Sequence, residues 1–393
     1  MSVYTHPQNP SAATAAPVIP FVTKPKTIWF TGLNALRFFA AATVVVMHIH
    51  NNMGVSGLPQ LPELPVLFKG LSAVSFFFVL SGFLITYLLL QERQATQTIS
   101  IRKFYLRRVF RIWPLYFLVV AIGALFYWQL VPAMHLKFEN SYPHGLAILL
   151  YSFFLANLMN SLYHVGGILH ITWSIAVEEQ FYLFWAPLVK KLKHRIPQLI
   201  ISVIVLSYTF NVLNALNVFG ISKELQAFIS TLQFHYMGIG GAFAWLLFYQ
   251  KERLFNLAVF RNKTWQVILT IVLLSYFLFY TKSVTGDIIT GLPLGLLFGW
   301  LIINVSSNPN KIFSLERPVL NYLGKISYGI YMFHMPVVYA CSFLFQKVHF
   351  LTSNPLLYFP LFFALVFATT IAIASVSYKI IEQPILKAGK RFA

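Results

Sequence analysis

Long apolar runs alternate with short basic stretches along almost the whole chain. The runs are about 16 to 23 residues long, close to the roughly 20 residues that a helix needs to cross a bilayer. They predict a polytopic membrane protein built of α-helices in one bundle, without a second folded domain. The eleven runs lie at about 28–50, 71–91, 112–131, 145–160, 173–189, 197–215, 227–249, 265–281, 289–307, 327–346 and 356–378.

The basic stretches predict the orientation, because lysine and arginine concentrate in cytoplasmic loops. If all eleven runs crossed, the stretch 190–195 would face outward. Every basic stretch faces the cytoplasm if the short run 145–160 is instead re-entrant or buried. The prediction is therefore an all-α bundle of about ten spanning helices plus one such segment, with both termini cytoplasmic. The basic stretches lie at 24–26, 93–111, 190–195, 251–263, 311–325 and 379–391.

Composition supports a multi-pass protein of the inner or plasma membrane. Of 393 residues, 58% are apolar and only 10% are charged, whereas a soluble domain carries about 25% charged residues. The net charge of +19 comes from clusters between apolar runs, so a membrane partner is predicted and a nucleic-acid partner is not. The single cysteine, Cys341, excludes an intrachain disulfide. We expect a disordered tail at 1–27, a membrane domain at 28–386 and a basic tail at 387–393.

The first apolar run contains an arginine, Arg37, and a histidine, His48, eleven residues further on. On a helix this spacing places both side chains on one face, about 16 Å apart along the axis. A permanent charge within a membrane helix is costly and marks a candidate functional site. The alternative is that Arg37 pairs structurally and that His48 and His50 are interfacial polar residues.

Two further segments of the first half of the chain are candidates for contact with a ligand. Ser81-Gly82 permits close backbone approach, either of a ligand or, more commonly, of another helix. The second segment has five basic residues within ten positions, mostly arginines, whose planar forks fit phosphate oxygens. An anchor to anionic lipid is the alternative. These basic residues are Arg102, Lys103, Arg107, Arg108 and Arg111.

Two of the chain's ten acidic residues, Glu178 and Glu179, are adjacent within an apolar run. The predicted topology places Glu178 at an outer depth comparable to that of His48. A carboxylate beside a histidine can set its tautomer and support it as a base. Alternatively, either glutamate neutralises Arg37 as a structural pair. Adjacent helical residues point about 100° apart, so the two carboxylates are not expected to share one role.

Other candidates are weaker, and several motifs are missing from the sequence. His334 lies in the inner half of a predicted helix, where a structural role is the more common one. Tyr378 and Glu382 are four residues apart and predict a helix-end cap. The sequence has no phosphate-binding glycine loop, zinc motif or nucleophile elbow, and no Cys/His set with metal spacing, so no metal is expected.

Six segments in order resemble the membrane-bound acyltransferase-3 family over residues 28–386. Each segment is weak alone, but their shared order is specific. They are Arg-x10-His (Arg37–His48), Phe-Phe-x-Leu-Ser-Gly-Phe (77–83), Arg-Arg-x-x-Arg-Ile-x-Pro (107–114), Thr-Trp-Ser-x-x-x-Glu-Glu-x-Phe-Tyr (172–182), Ile-Ser-Tyr-x-Ile-Tyr-x-x-His (326–334) and Tyr-x-x-x-Glu-x-Pro (378–384).

The resemblance implies transfer of an acyl group, usually acetyl, from acyl-CoA to a hydroxyl of a sugar, glycan or other small molecule. It adds Glu179, Tyr182, Tyr331 and His334 as site candidates of second rank. Because the chain ends at Ala393, we expect the stand-alone type without an appended hydrolase-like domain.

The expected mechanism divides these residues into a donor site and a reaction site. The five basic residues and Ser81-Gly82 would hold acetyl-CoA, with Arg37 holding the donor or stabilising an oxyanion. His48 would be the general base, oriented or charge-compensated by Glu178. A covalent acyl-histidine relay is the other route.

The alternative function is a glycan or lipid transporter, or a flippase, without covalent chemistry. Arginine, histidine and glutamate within the membrane suit a substrate pathway equally well. A transporter should neither bind nor consume acetyl-CoA. The sequence identifies neither the acceptor nor the oligomeric state.

Overall fold

The computed structural model describes residues 30–62, 64–135, 142–279, 284–348 and 354–392. Every regular element in these ranges is a helix, which confirms the predicted all-α class. The main helices are α1 (Leu33–Val55), α2 (Gly70–Thr96), α3 (Ile101–Leu125), α4 (His144–Ser152), α5 (Ala156–Leu162), α6 (Trp173–Lys191), α7 (Ile196–Ala215), α8 (Lys223–Thr231), α9 (Phe234–Tyr249), α10 (Lys263–Phe279), α11 (Val284–Ser306), α12 (Pro318–Lys325), α13 (Ser327–Lys347), α14 (Pro355–Ser377) and α15 (Gln383–Gly389).

Most predicted apolar runs correspond to one helix each, and two are broken. The run 145–160 divides into α4 and α5, of 9 and 7 residues, each too short to cross a bilayer alone. This break agrees with the prediction that the segment does not cross. The run 227–249 divides into α8 and α9, which are separated at Leu232 and Gln233.

Six helical segments of the described chain are long and apolar enough to cross a membrane, which supports a multi-pass membrane protein. Two further apolar stretches are shorter, namely Lys263–Phe279, which is α10, and Gly291–Ser306, which is part of α11. The count of about ten spans stays a prediction. The six segments are Leu33–Val55, Gly70–Thr96, Ile101–Ala133, Ile196–Ala215, Ser327–Lys347 and Pro355–Gly389.

Helix α3 begins eleven residues before the apolar run that predicted it, at Ile101 instead of 112. The Ser100 hydroxyl caps its N-terminus by accepting from the backbone N–H of Lys103 at 3.4 Å. The whole arginine-rich segment is therefore helical, so its members point in different directions around one axis.

Helices α2 and α9 pack with their backbones almost in contact. A Cβ atom on Gly82 would overlap the Met237 carbonyl, and one on Gly240 would overlap the Val79 carbonyl. Small residues allow this approach between helices. The close contact fixes the position of α2, whose residues wall the candidate site.

A second core cluster joins α1, α13 and α14. Ala41, Val45 and Ile49 of α1 are fully buried in it, together with Ile330 and Val338 of α13. The packing holds the C-terminal part of α1 against α13 along one face. It thereby positions the two helices that carry His48 and His334.

The two predicted tails differ in what the structure describes. Residues 1–27 lie outside the described ranges. At the other end, α15 extends to Gly389, which packs against Phe110 of α3. The Phe392 ring also stacks on Phe110, with 6.1 Å between centroids. The segment 387–392 thus contacts the bundle through Gly389 and Phe392, and its other residues are exposed.

Gly82→Val tests the α2–α9 contact. The new side chain would overlap the Met237 backbone, and overpacking of this kind costs about 1–3 kcal/mol. We expect a lower midpoint of thermal unfolding in detergent. Gly145→Val in α4 is the matched control, because nothing lies within 4 Å of a Cβ there. Equal unfolding midpoints for the two variants would contradict the proposed contact.

Candidate active site

A cavity of about 210 Å³ lies where α1, α2, α3, α6 and α13 meet. Apolar side chains form most of its wall, and charged and hydroxyl groups project into it from all five helices. The polar lining residues are Arg37, Ser81, Arg108, Arg111, Ser174, Glu178, Tyr182, Ser327, Tyr328 and Tyr331.

Three guanidinium groups line this cavity. Arg37 donates to the Asn34 side-chain oxygen at 3.2 Å. The Arg108 guanidinium lies over the Phe104 and Tyr182 rings, 5.6 and 5.4 Å from their centroids, and its Nε has no protein partner. Arg111 is exposed at the cavity edge. Three like charges in an apolar bundle repel one another and favour an anionic ligand.

Glu178 supplies one negative charge within the same wall. The Ser81 hydroxyl donates to its Oε1 at 3.0 Å, and the Tyr182 hydroxyl donates to its Oε2 at 2.7 Å. Tyr182 follows Glu178 by one helical turn, so the second bond is local to α6. Among the described residues, no arginine or lysine nitrogen lies within 4.0 Å of Glu178. The carboxylate therefore compensates the arginines at a distance instead of forming an ion pair.

His48 pairs with His334 and not with Glu178. The His48 Nδ1 lies 3.0 Å from the His334 Nε2, and the ring centroids are 4.9 Å apart. The expectation that Glu178 orients His48 is corrected here. Ser81 and Tyr182 occupy both oxygens of Glu178, and the carboxylate lines the cavity with Arg37. The packing of α1 on α13 brings His334 to His48 instead.

Tyr331 connects the histidine pair to the cavity. Its backbone carbonyl lies 2.5 Å from the His334 Nδ1. Its hydroxyl lies 2.7 Å from the Ser174 hydroxyl and donates to the Ile171 carbonyl at 2.9 Å. Tyr331 therefore contacts the cavity wall through its hydroxyl and His334 through its backbone carbonyl.

The arginine-rich segment divides between the cavity and the surface. Arg108 and Arg111 line the cavity. Arg107 instead forms an ion pair with Glu92 at 2.8 Å, and Arg102 and Lys103 are exposed outside the cavity lining. The helical period of α3 explains why five clustered basic residues do not act as one clamp.

Ser81 and Gly82 divide in the same way. The Ser81 side chain lines the cavity. Gly82 is buried against Met237 of α9 and does not line it. The geometry at Gly82 fits the helix-packing alternative instead of contact with a ligand.

Glu179 faces away from the cavity, as its offset from Glu178 predicts. Its Oε2 accepts from the Trp113 indole N–H at 3.2 Å, while its Oε1 is buried without a protein partner. The two adjacent carboxylates therefore have different surroundings.

Glu382 has a more interior position than the sequence indicated. It ends a π-helical turn, Tyr378–Glu382, and is buried with an unpartnered Oε1. A Cβ on Gly329 would lie 3.4 Å from that oxygen. The adjacent Tyr328 lines the cavity and donates to the Ile112 carbonyl at 2.9 Å. The available signal was the Tyr378–Glu382 spacing, which we interpreted as a helix-end cap.

The fold and the cavity define a class of multi-pass membrane protein with a charged internal site. A family model described as an acyltransferase domain matches residues 30–375. The chain belongs to the membrane-bound acyltransferase-3 family, as the six ordered segments predicted.

Two similar proteins carry related names. The O-acetyltransferase OatA of Staphylococcus aureus strain NCTC 8325 / PS 47 is 26% identical over 389 residues. A putative O-acetyltransferase of S. aureus strain COL is also 26% identical. Each match covers 93% of this chain and 58% of the relative, so the chain spans little more than half the length of these curated relatives. No solved structure matches the chain.

Tyr182→Phe tests the hydrogen bonding of Glu178. Loss of the hydroxyl leaves one buried carboxylate oxygen without its donor, which costs about 1–3 kcal/mol. We expect a lower thermal unfolding midpoint in detergent. Tyr249→Phe is the control, because Tyr249 is 46% exposed and its change should move the midpoint little. If both variants unfold at the wild-type temperature, the hydroxyl does not stabilise Glu178.

Proposed function

We propose that this protein is an integral membrane O-acyltransferase that moves an acetyl group from cytosolic acetyl-CoA to a hydroxyl of a carbohydrate on the outer side. The observation that carries the proposal is the cavity in which Arg37, Arg108 and Arg111 meet. The names of the relatives support an oxygen acceptor. The carbohydrate class, the CoA donor, the ten-span topology and the plasma-membrane location follow from the family resemblance and the charge pattern.

The arginines give the donor a place to bind. CoA carries phosphate groups, and guanidinium forks bind phosphate oxygens through paired charge-assisted hydrogen bonds. Arg111 is at the exposed edge of the cavity and Arg108 is deeper, with a free Nε. Arg102 and Lys103, exposed on the same end of α3, add positive potential that attracts the anionic donor.

The spacing on α1 supports one of the two roles expected for Arg37. Arg37 and His48 are about 16 Å apart along the helix axis, too far for both side chains to act on one carbonyl group. The pantetheine arm of CoA spans a comparable distance when extended. Arg37 therefore holds the donor, and the thioester lies near His48 at the far end of the arm.

The reaction at His48 is direct acyl transfer. His48 accepts the proton of the acceptor hydroxyl while the oxygen attacks the thioester carbonyl. The tetrahedral intermediate collapses as the carbon–sulfur bond breaks, and CoA leaves as a thiolate. The His48 imidazolium returns the proton to that sulfur. The products are an O-acyl ester and CoA thiol, and the acyl group crosses most of the bilayer on the pantetheine arm.

Arg108→Gln tests the donor site. A lost charge-assisted hydrogen bond should weaken acetyl-CoA binding about 10- to 100-fold, at about 1.5–3 kcal/mol. Isothermal titration of the purified protein in detergent measures this change. Arg107→Gln is the control, because Arg107 pairs with Glu92 at the surface and such pairs contribute little. Equal losses in both variants would favour the lipid-anchor alternative, and a wild type that does not bind acetyl-CoA would favour a transporter.

His48→Ala tests the general base. Removing a general base lowers kcat by about 10²–10⁴-fold, measured as transfer of labelled acetyl to a sugar acceptor by membranes with equal protein content. His50→Ala is the control two residues away, since the buried His50 Nδ1 has no protein partner. Unchanged transfer by the His48 variant would contradict the mechanism.

A further inference from the structure

The histidine pair of α1 and α13 has an arrangement that fixes where its protons lie. His334 is fully buried and His48 is half-buried. The two rings meet through His48 Nδ1 and His334 Nε2 at 3.0 Å. The other nitrogen of His334, Nδ1, lies 2.5 Å from the Tyr331 carbonyl oxygen. Each of these contacts requires one proton at a definite place.

The Tyr331 carbonyl decides the tautomer of His334. A carbonyl oxygen can only accept a hydrogen bond, so the His334 Nδ1 must carry the proton. In a neutral imidazole the second nitrogen then has a lone pair. The His334 Nε2 is therefore an acceptor that points at His48.

The tautomer of His334 in turn decides that of His48. Since the His334 Nε2 accepts, the His48 Nδ1 must donate in the contact between the rings. A neutral His48 with its proton on Nδ1 has a lone pair on Nε2. Nε2 is the nitrogen that a base needs to have free, and the contact with His334 leaves it open.

We propose that His334 is a positioning residue that holds His48 in the Nδ1–H tautomer, so that the His48 Nε2 acts as the base. Only the role of His48 as a base rests on the proposed function. The order of protons along Tyr331, His334 and His48 rests on the two contacts alone.

The same arrangement stabilises the charged state of His48 during transfer. When Nε2 takes the proton of the acceptor hydroxyl, the Nδ1–H bond to His334 becomes charge-assisted and stronger. In soluble serine hydrolases a carboxylate accepts the corresponding hydrogen bond from the histidine Nδ1. A neutral imidazole gives the same hydrogen bond without a second buried charge in an apolar bundle.

A pair of His334 variants separates positioning from packing. The Gln side chain of His334→Gln presents an oxygen near the former Nε2 and can accept from the His48 Nδ1. His334→Phe fills the same space with a ring that cannot accept a hydrogen bond from the His48 Nδ1. We expect kcat to fall about 100-fold or more in His334→Phe and to remain within about tenfold of wild type in His334→Gln. KM for acetyl-CoA should change little in either variant.

Two kinetic outcomes would overturn the proposal. If the Phe and Gln variants retain equal activity, the acceptor at position 334 has no part in the reaction. If both lose activity equally while their thermal unfolding midpoints match the wild type, the hydrogen-bond acceptor at position 334 does not account for the contribution of His334 to kcat.

Nitrogen-15 NMR of protein labelled at the histidine rings tests the tautomer without any activity measurement. The His48 signals are assigned from their loss in His48→Ala. We expect a protonated Nδ1 and an unprotonated Nε2 at His48 in the wild type, and a mixture of tautomers in His334→Phe. A protonated Nε2 in wild-type His48 would overturn the inference. The expected tautomer in a protein that transfers no acyl group would support it and count against the proposed function alone.

Discussion

The meeting of three arginines at one cavity among apolar helices, with Arg37 and Arg108 partly buried and Arg111 exposed at the edge, is the constraint on which the rest of this structure depends. Unpaired charges are costly in a low-dielectric bundle, and Glu178 supplies one opposing carboxylate within the cavity wall. Ser81 and Tyr182 donate to its two oxygens, and the Arg108 Nε keeps a donor without a partner in the described part of the chain. Because these arginines form no ion pair with the described residues, the cavity favours reversible binding of an anionic ligand.

Helix α1 relates this charged cavity to the histidine pair. Arg37 lies in the cavity wall, and His48, about 16 Å further along the same face, meets α13. The contacts of α1 with α13 run through small and β-branched residues such as Ala41, Val45 and Ile49. That packing leaves little freedom for rotation of α1, because a turn of the helix would move Arg37 and His48 together away from their partners.

The sequence predicted the helices well and the pairing of side chains less well. Apolar runs predicted nearly every helix, because a membrane helix must satisfy its own backbone and is recognisable from length and composition. The partner of His48 was predicted from depth alone, which cannot tell which face of α6 or α13 turns toward α1. Gly82 and Arg107 were similarly assigned to a ligand. Met237, which contacts Gly82, is distant in sequence, and Glu92, which pairs with Arg107, lies on the preceding helix. Only the folded chain shows these contacts.

The hydrogen bonds around His48 are made by uncharged groups, whereas the charged groups lie at the cavity. The contacts of Tyr331 with Ser174 and with His334, and of His334 with His48, are made by uncharged groups. A neutral donor or acceptor costs less to bury than an ion, and the Tyr331 carbonyl alone fixes the proton positions of His334 and His48. Charge is concentrated at the cavity, where a charged donor would bind. The contacts of His48 with its neighbours orient its ring and add no charge. The separation follows from the low dielectric constant of the bundle, in which a carboxylate beside His48 would favour the imidazolium and oppose the neutral state that a base requires.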